Sequence, residues 1–414
     1  MSVFVLCSVL FIGLVNSASA QDAPDEAPKA EAPMNEAAPA PKAEMSAPYN
    51  GLVLTLNDQW SLKFSGQLNT YFVANMQEGK DAIFGVQNGL LPASLNVSPM
   101  FKASSAVTIS GNFGLYLGIP ASGVDNSKSN VALDFSAVDI RSLSFSIATP
   151  GGTFFLGRDF GQFGLDAILN DISLLGVGGN YSFANPQHTT LGGIGYGYIY
   201  ADRLVQINYT TPTFGNTSVT VGIYDAINDF GATSIATGII GWHAKAKTDQ
   251  KFGENVGLYI SATFLAQYRS VLSGMAIGWD AFLKFNVYGF SLIGYIYGGD
   301  GIGDVGLMVG GTKTNGSGKV VAASSLGYYG QLSYTIKMAM PLTIGVFYGA
   351  STIDQGTGGK SDVKASTRIT GSVALAVLPY LILRAEFTNQ SEQKTLPAAA
   401  PKANIVNVGA TFAF

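Results

Sequence analysis

From Trp60 onward, apolar and polar residues alternate in short runs. Leu62, Phe64, Leu68 and Phe72 stand against Lys63, Ser65, Gln67 and Asn69. Ile109, Phe113, Leu115 and Leu117 stand against Thr108, Ser110, Asn112 and Tyr116. The same pattern returns at Ile277–Val287, where Asp280, Lys284 and Asn286 form the polar side. It returns again at Leu326–Ile336, and at Arg368–Val377, where Arg368 is on the polar side. A period of two is the mark of a strand with two different faces. The charged residues of each run share one face, as expected where the other meets hydrocarbon. In the last run Val406, Val408, Ala410, Phe412 and Phe414 alternate with Asn407, Gly409 and Thr411.

Short turns are expected at Lys102–Ser105, Thr149–Gly152, Pro212–Asn216, Tyr288-Gly289, Met338–Pro341 and Pro379-Tyr380. Longer polar links fall at 75–90, 120–130, 226–236, 299–323, 352–363 and 390–402. Alternating short and long links predict an all-β, transmembrane antiparallel barrel of about 16 strands. Residues 131–148 and 190–211 do not hold one parity, so a bulge or an added strand is expected there.

Composition agrees with this. The chain is 47% hydrophobic and only 12% charged, about half the usual charged share. No run beyond residue 20 is long enough for a transmembrane helix. Residues 1–20 read as a secretory signal, with an apolar run ending at Ala18-Ser19-Ala20, although no Lys or Arg precedes it. The one cysteine, Cys7, lies inside that segment, so the remainder has no thiol for a disulfide or a metal. Residues 21–59 are rich in Ala, Pro, Glu and Lys and carry seven acids and two bases. They read as a periplasmic tail or linker ahead of a barrel spanning 60–414. The acidic balance of the chain therefore comes from the tail.

Chemical motifs are few. The two histidines, His188 and His243, have no serine motif beside them, so an enzyme is not expected. The glycines of Gly192–Gly197 and of Thr314–Lys319 lack the strand–helix context of a nucleotide site. No basic–aromatic run suggests nucleic acid, and no cofactor is implied.

One segment breaks the alternation, Gly157-Arg158-Asp159-Phe160-Gly161 and on to Gly178-Gly179, with a short helix expected within Asp166–Leu174. These residues, together with Asn208–Asn216 and the terminal Phe414, resemble the general-diffusion porins of Gram-negative outer membranes. The resemblance implies an outer-membrane homotrimer in contact with lipid, and a third loop folded into a water-filled lumen that passes small hydrophilic solutes. It also implies loop carboxylates, Asp166 and Asp171, facing a basic cluster that includes Arg158. Lys63, Arg203, Lys284, Arg368 and Arg384 are the other candidate constriction cations. The family's Pro-Glu-Phe ahead of the Gly-Gly is replaced here by Leu175-Gly176-Val177, so the loop lacks one carboxylate and a weaker transverse field is expected. A substrate-specific channel for small anions and a structural or surface-binding barrel are the alternatives. The tail is read as a spacer, with peptidoglycan contact as its other role.

Overall fold

The computed structural model describes residues 51–117, 139–179, 189–227, 239–354, 363–394 and 402–414. The proposed signal, residues 21–50 of the tail and His188 lie outside the described residues.

The chain opens with the short β1 (Leu52–Thr55) and the long β2 (Trp60–Gln77), followed by β3 (Ile83–Gln87), β4 (Ala93–Lys102) and β5 (Thr108–Leu117). Next come β6 (Asp139–Thr149), β7 (Gly152–Phe160), β8 (Arg203–Thr210), β9 (Thr217–Asp225) and β10 (Ile240–Lys251). β11 (Val256–Arg269), β12 (Gly274–Val287) and β13 (Phe290–Asp300) lead to a small hairpin, β14 (Thr312–Thr314) and β15 (Val320–Ala322). β16 (Ser324–Ile336), β17 (Leu342–Ile353), β18 (Val363–Leu378), β19 (Leu381–Lys394) and β20 (Lys402–Ala413) complete the order.

Each strand of the wall pairs antiparallel with its neighbour, and β20 pairs with β2 to close a barrel of 16 strands. β3 and β4 share one stave, both lying against β2. The amide of Phe414 donates to Gly66 O at 2.9 Å, and Gly66 N returns a bond of 2.7 Å, extending the seam to the last residue. β1 pairs with β2 on that same edge, so Leu52–Thr55 belongs to the sheet rather than to the tail.

The faces divide as the alternation requires. On β16, Leu326, Tyr328, Leu332 and Tyr334 are exposed outward while Ser325, Tyr329 and Gln331 are buried inward. On β20, Val406, Val408 and Phe412 point out, and Asn407 and Thr411 point in. An arginine on the outer face at mid-strand should therefore be costly. Leu332→Arg is expected to lower the stability of the vesicle-inserted barrel by about 2–4 kcal/mol, measured by denaturant titration of refolding.

Three details differ from the sequence reading. Tight connections also occur at Phe252–Asn255 and Ser270–Ser273. The broken parity of 131–148 includes a bulge at Arg141, where the register slips between Gly114 and Leu115. Residues 189–202 form no strand. They are almost wholly buried inside the barrel.

Candidate functional site: a loop-filled lumen

Residues 161–179 and 189–202 of the third loop at the open rim turn inward after β7. Its helix α1 (Leu165–Leu169) is only five residues long and is entered through Gly164, whose φ of 73° suits glycine. Val177 packs with Tyr71, Val73 and Ile405 of β2 and β20, while Phe163, Ala167, Ile168, Ile172, Tyr198 and Ile199 are buried against the inner sides of β11–β13, β16 and β17. The wall there supplies Leu265, Phe282, Ile293, Tyr295, Tyr297, Tyr329 and Phe347. Inward positions are mostly polar elsewhere, but on this side the barrel is largely aromatic. The loop is held there by burial of apolar surface, the dominant favourable term in packing.

The adjoining strands β18 and β19 hold the loop by charge. Asp171 accepts from Ser173 N (2.8 Å), Gly193 N (2.6 Å) and Tyr198 Oη (2.8 Å), and lies 3.4 Å from Arg368 Nη2. Burial and Asp171 together push the Tyr198 phenol well above its ordinary value, so it stays a donor. Arg368 lies 4.0 Å over the Phe347 ring. Arg384 Nη1 donates to Ile172 O and Ser372 Oγ, both at 2.9 Å. Glu386 accepts from Val177 N (2.8 Å) and Gly178 N (2.9 Å), and stands 3.7 Å from Arg384. Gly178, at φ 58°, has no room for a Cβ because the Gly192 backbone and the Arg368 guanidinium lie against it.

A third group of ties grips the start of the loop. Asp166 accepts from Lys245 Nζ (2.6 Å), Tyr259 Oη (3.1 Å) and Ser261 Oγ. Asp280 accepts from Gly164 N at 2.7 Å. Gln331 donates to Asn170 O (3.0 Å) and accepts from Ile172 N (2.7 Å), while Lys284 Nζ reaches Asn170 Oδ1 at 3.2 Å. Asp166 is therefore an ion-pair partner of the wall and makes no side-chain cap. The tip of the first loop joins in, with Leu90 N donating to Gly176 O at 2.7 Å.

Of the candidate cations, the structure brings Arg368, Arg384 and Lys284 onto the third loop. Arg203 sits at its base, paired with Asp159 and 3.4 Å over the Phe160 ring. Arg158 differs from the expectation. It is exposed, and its cross-strand partners Leu143 and Val205 both face outward. One residue of parity separates it from the lumen. Lys63 is on the inner side of β2, eight positions before Tyr71, whose hydroxyl donates to Leu175 O. That is about 25 Å along a strand, so Lys63 faces the short-turn mouth rather than the loop.

Sequence reasoning missed Glu386, Lys245, Asp280 and Asp159 as partners of these charges. Parity on β19 was the available signal, since Glu386 is two residues from Arg384 on the same face. The carboxylate absent from the loop is in effect supplied by the wall.

The architecture is that of the Gram-negative outer-membrane porins. No protein-family profile and no curated protein matches the chain by sequence. By fold it is similar to the outer membrane channel DcaP of Acinetobacter baumannii, with a TM-score of 0.63 at 12% identity, over 87% of this chain and 99% of that one. It is similar to the anion-selective porin of Comamonas acidovorans, with a TM-score of 0.58 at 13% identity, over 86% and 100% of the two chains. Salmonella typhi OmpF, in complex with daunomycin, aligns with a TM-score of 0.57 at 10% identity, over 88% and 100%.

Proposed function

We propose that the protein is a non-enzymatic outer-membrane channel for passive diffusion of small hydrophilic solutes and ions. The observation that carries this reading is a closed 16-strand barrel with a long loop seated across its lumen. A loop inside a barrel wall narrows a path without sealing the membrane in any other way. Solved relatives in fold are named as channels and porins, which supports the same reading.

The passage is narrow and only weakly ion-selective. Lumen charges stand mainly as neighbouring opposite pairs, Asp171 with Arg368, Asp166 with Lys245 and Glu386 with Arg384. Paired charges leave little net field for a passing ion. A homotrimer is part of the proposal, since one of the similar folds, OmpT of Vibrio cholerae, is described in a trimer form.

Refolded protein in a planar bilayer should give small stepwise openings, grouped in threes, with a reversal potential near zero in a salt gradient. A demonstrably folded barrel that gives no openings would favour a structural or surface-binding role. Strong cation selectivity would contradict the paired-charge argument.

A further inference from the structure

The third loop is not the only segment inside the barrel. The sixth link at the open rim, between β13 and β16, sends Gly301–Gly311 inward before it forms the β14–β15 hairpin. Ile302, Leu307 and Met308 are fully or almost fully buried. The segment lies on the third loop, with Tyr200 N donating to Val305 O at 2.9 Å and Tyr200 bridged to Gly306.

The two inward segments are held differently. The third loop has charged ties to at least four strands. Among the described residues, the side chains of Gly301–Gly311 make no ion pair with the wall. The segment is attached at its neck, where Gly301 N donates to Ala323 O (2.9 Å), Ala323 N to Gly311 O (3.0 Å) and Arg269 Nη1 to Gly301 O (2.6 Å). The two ends of the segment touch, as in a compact Ω-shaped loop. Three of its glycines have left-handed backbone, Gly301 at φ 79°, Gly303 at 85° and Gly310 at 68°. Met308 is also left-handed, at φ 66°, a conformation that costs a side-chain-bearing residue energy. A narrow neck with glycines at both ends, a strained residue and few polar ties would let the segment move as one piece about that neck, against the burial of its apolar side chains.

We propose that Gly301–Gly311 is a hinged flap that seats on the third loop to close the lumen and swings out to open it, while the third loop stays in place. The proposal rests on the channel reading for its consequence, but not for the movement itself.

Asp304 gives the flap a pH response. Burial raises its carboxyl to about 6, and Glu392 adds to the rise. The titratable groups around the segment are Glu392 of β19, Tyr297 of β13, Tyr200 of the third loop and Arg269 of β11, whose guanidinium serves Gly301 O. A carboxyl with a higher pKa when seated than when released favours the seated state while protonated. Seating is therefore strongest below the ordinary carboxylate range and weakens as pH rises through about 6. The ratio of seated to released flap should fall on the order of tenfold or more between pH 4 and pH 8.

The test uses full-length protein with Cys7→Ser and one introduced cysteine, reacted with a charged, water-soluble thiol reagent in bilayer-like vesicles. Met308→Cys, with Leu307→Cys as a second reporter should the first not fold, reads the flap. Ser173→Cys reads the third loop, and the exposed Ser317→Cys corrects for thiol ionisation. The expected result is that the flap reporter, relative to Ser317→Cys, gains about tenfold or more in rate from pH 5 to pH 8. Ser173→Cys should stay protected, and Asp304→Asn should remove the gain. Simultaneous unmasking of both loops, or a flap reporter protected at every pH, would overturn the flap. Conductance recorded on the same samples tests the channel reading separately. An accessible flap with no current would sink that reading and leave the movement standing.

Discussion

Glu386→Ala is expected to release the middle of the third loop and raise single-channel conductance severalfold, with a shift toward anions. Glu386 is buried and serves two loop amides, Val177 and Gly178, as well as Asn407 Nδ2 at 3.2 Å. Hydrogen bonds to a charged group are worth about 1.5–3 kcal/mol each. Its loss also leaves Arg384 buried beside a neutral methyl. The loop backbone can reach water by leaving the wall, and the arginine can be solvated only if it does. Movement of residues 172–178 would then uncover Arg384 and Arg368 together, which is the origin of the anion shift. Glu386→Gln keeps one acceptor and should show a smaller effect, and Glu386→Asp a smaller one still. Planar-bilayer conductance with a salt gradient checks this. Unchanged conductance and selectivity in a barrel that keeps its folded gel mobility would remove Glu386 as a latch.

Asp171→Ala should unfold the third loop inside an otherwise intact barrel. The carboxylate organises the loop from within, through Ser173, Gly193 and Tyr198, and is also the ionic partner of Arg368. Arg368 is essentially unexposed. Removing one partner of a buried ion pair typically costs about 3–5 kcal/mol. The wall does not depend on this loop for its ladder hydrogen bonds, so the cost falls on the loop. Proteolysis within 161–202 should become rapid while the barrel fragments stay associated. Asp171→Asn keeps an acceptor and should be cut more slowly. Equal resistance of wild type and Asp171→Ala would show that the apolar side alone holds the loop.

The barrel was legible in the sequence because its rule is local. Each residue's face follows from the parity of its neighbours, and lipid enforces the rule at every strand. The inward placement of Arg368, Arg384 and Lys284 follows from the same parity. Arg158 was misassigned because the motif that singled it out says nothing about parity, whereas its outward neighbours Leu143 and Val205 do. The loop's contents were not legible. Parity turns Phe282, Tyr295, Tyr329 and Phe347 inward, but Phe163, Ile168 and Ile172 could pack on one another or on any wall, and nothing local says that they meet these four. Glu386 and Val177 are 209 positions apart, and their hydrogen bond is a property of the closed barrel rather than of either segment.

The same separation governs how the molecule must assemble. The third loop leaves β7 early in the chain, yet its seat is built from strands that follow it, as far as Arg384, whose guanidinium meets Ile172 O across 212 residues. Until β11–β13, β16 and β17 are in position, its apolar residues have no surface to cover them. Contacts this distant form late, and exposed apolar chain in the interval invites aggregation. Transit of this polypeptide toward its membrane should therefore depend on a holding chaperone. That dependence should relax when the apolar residues of the third loop, rather than those of the strands, are made polar.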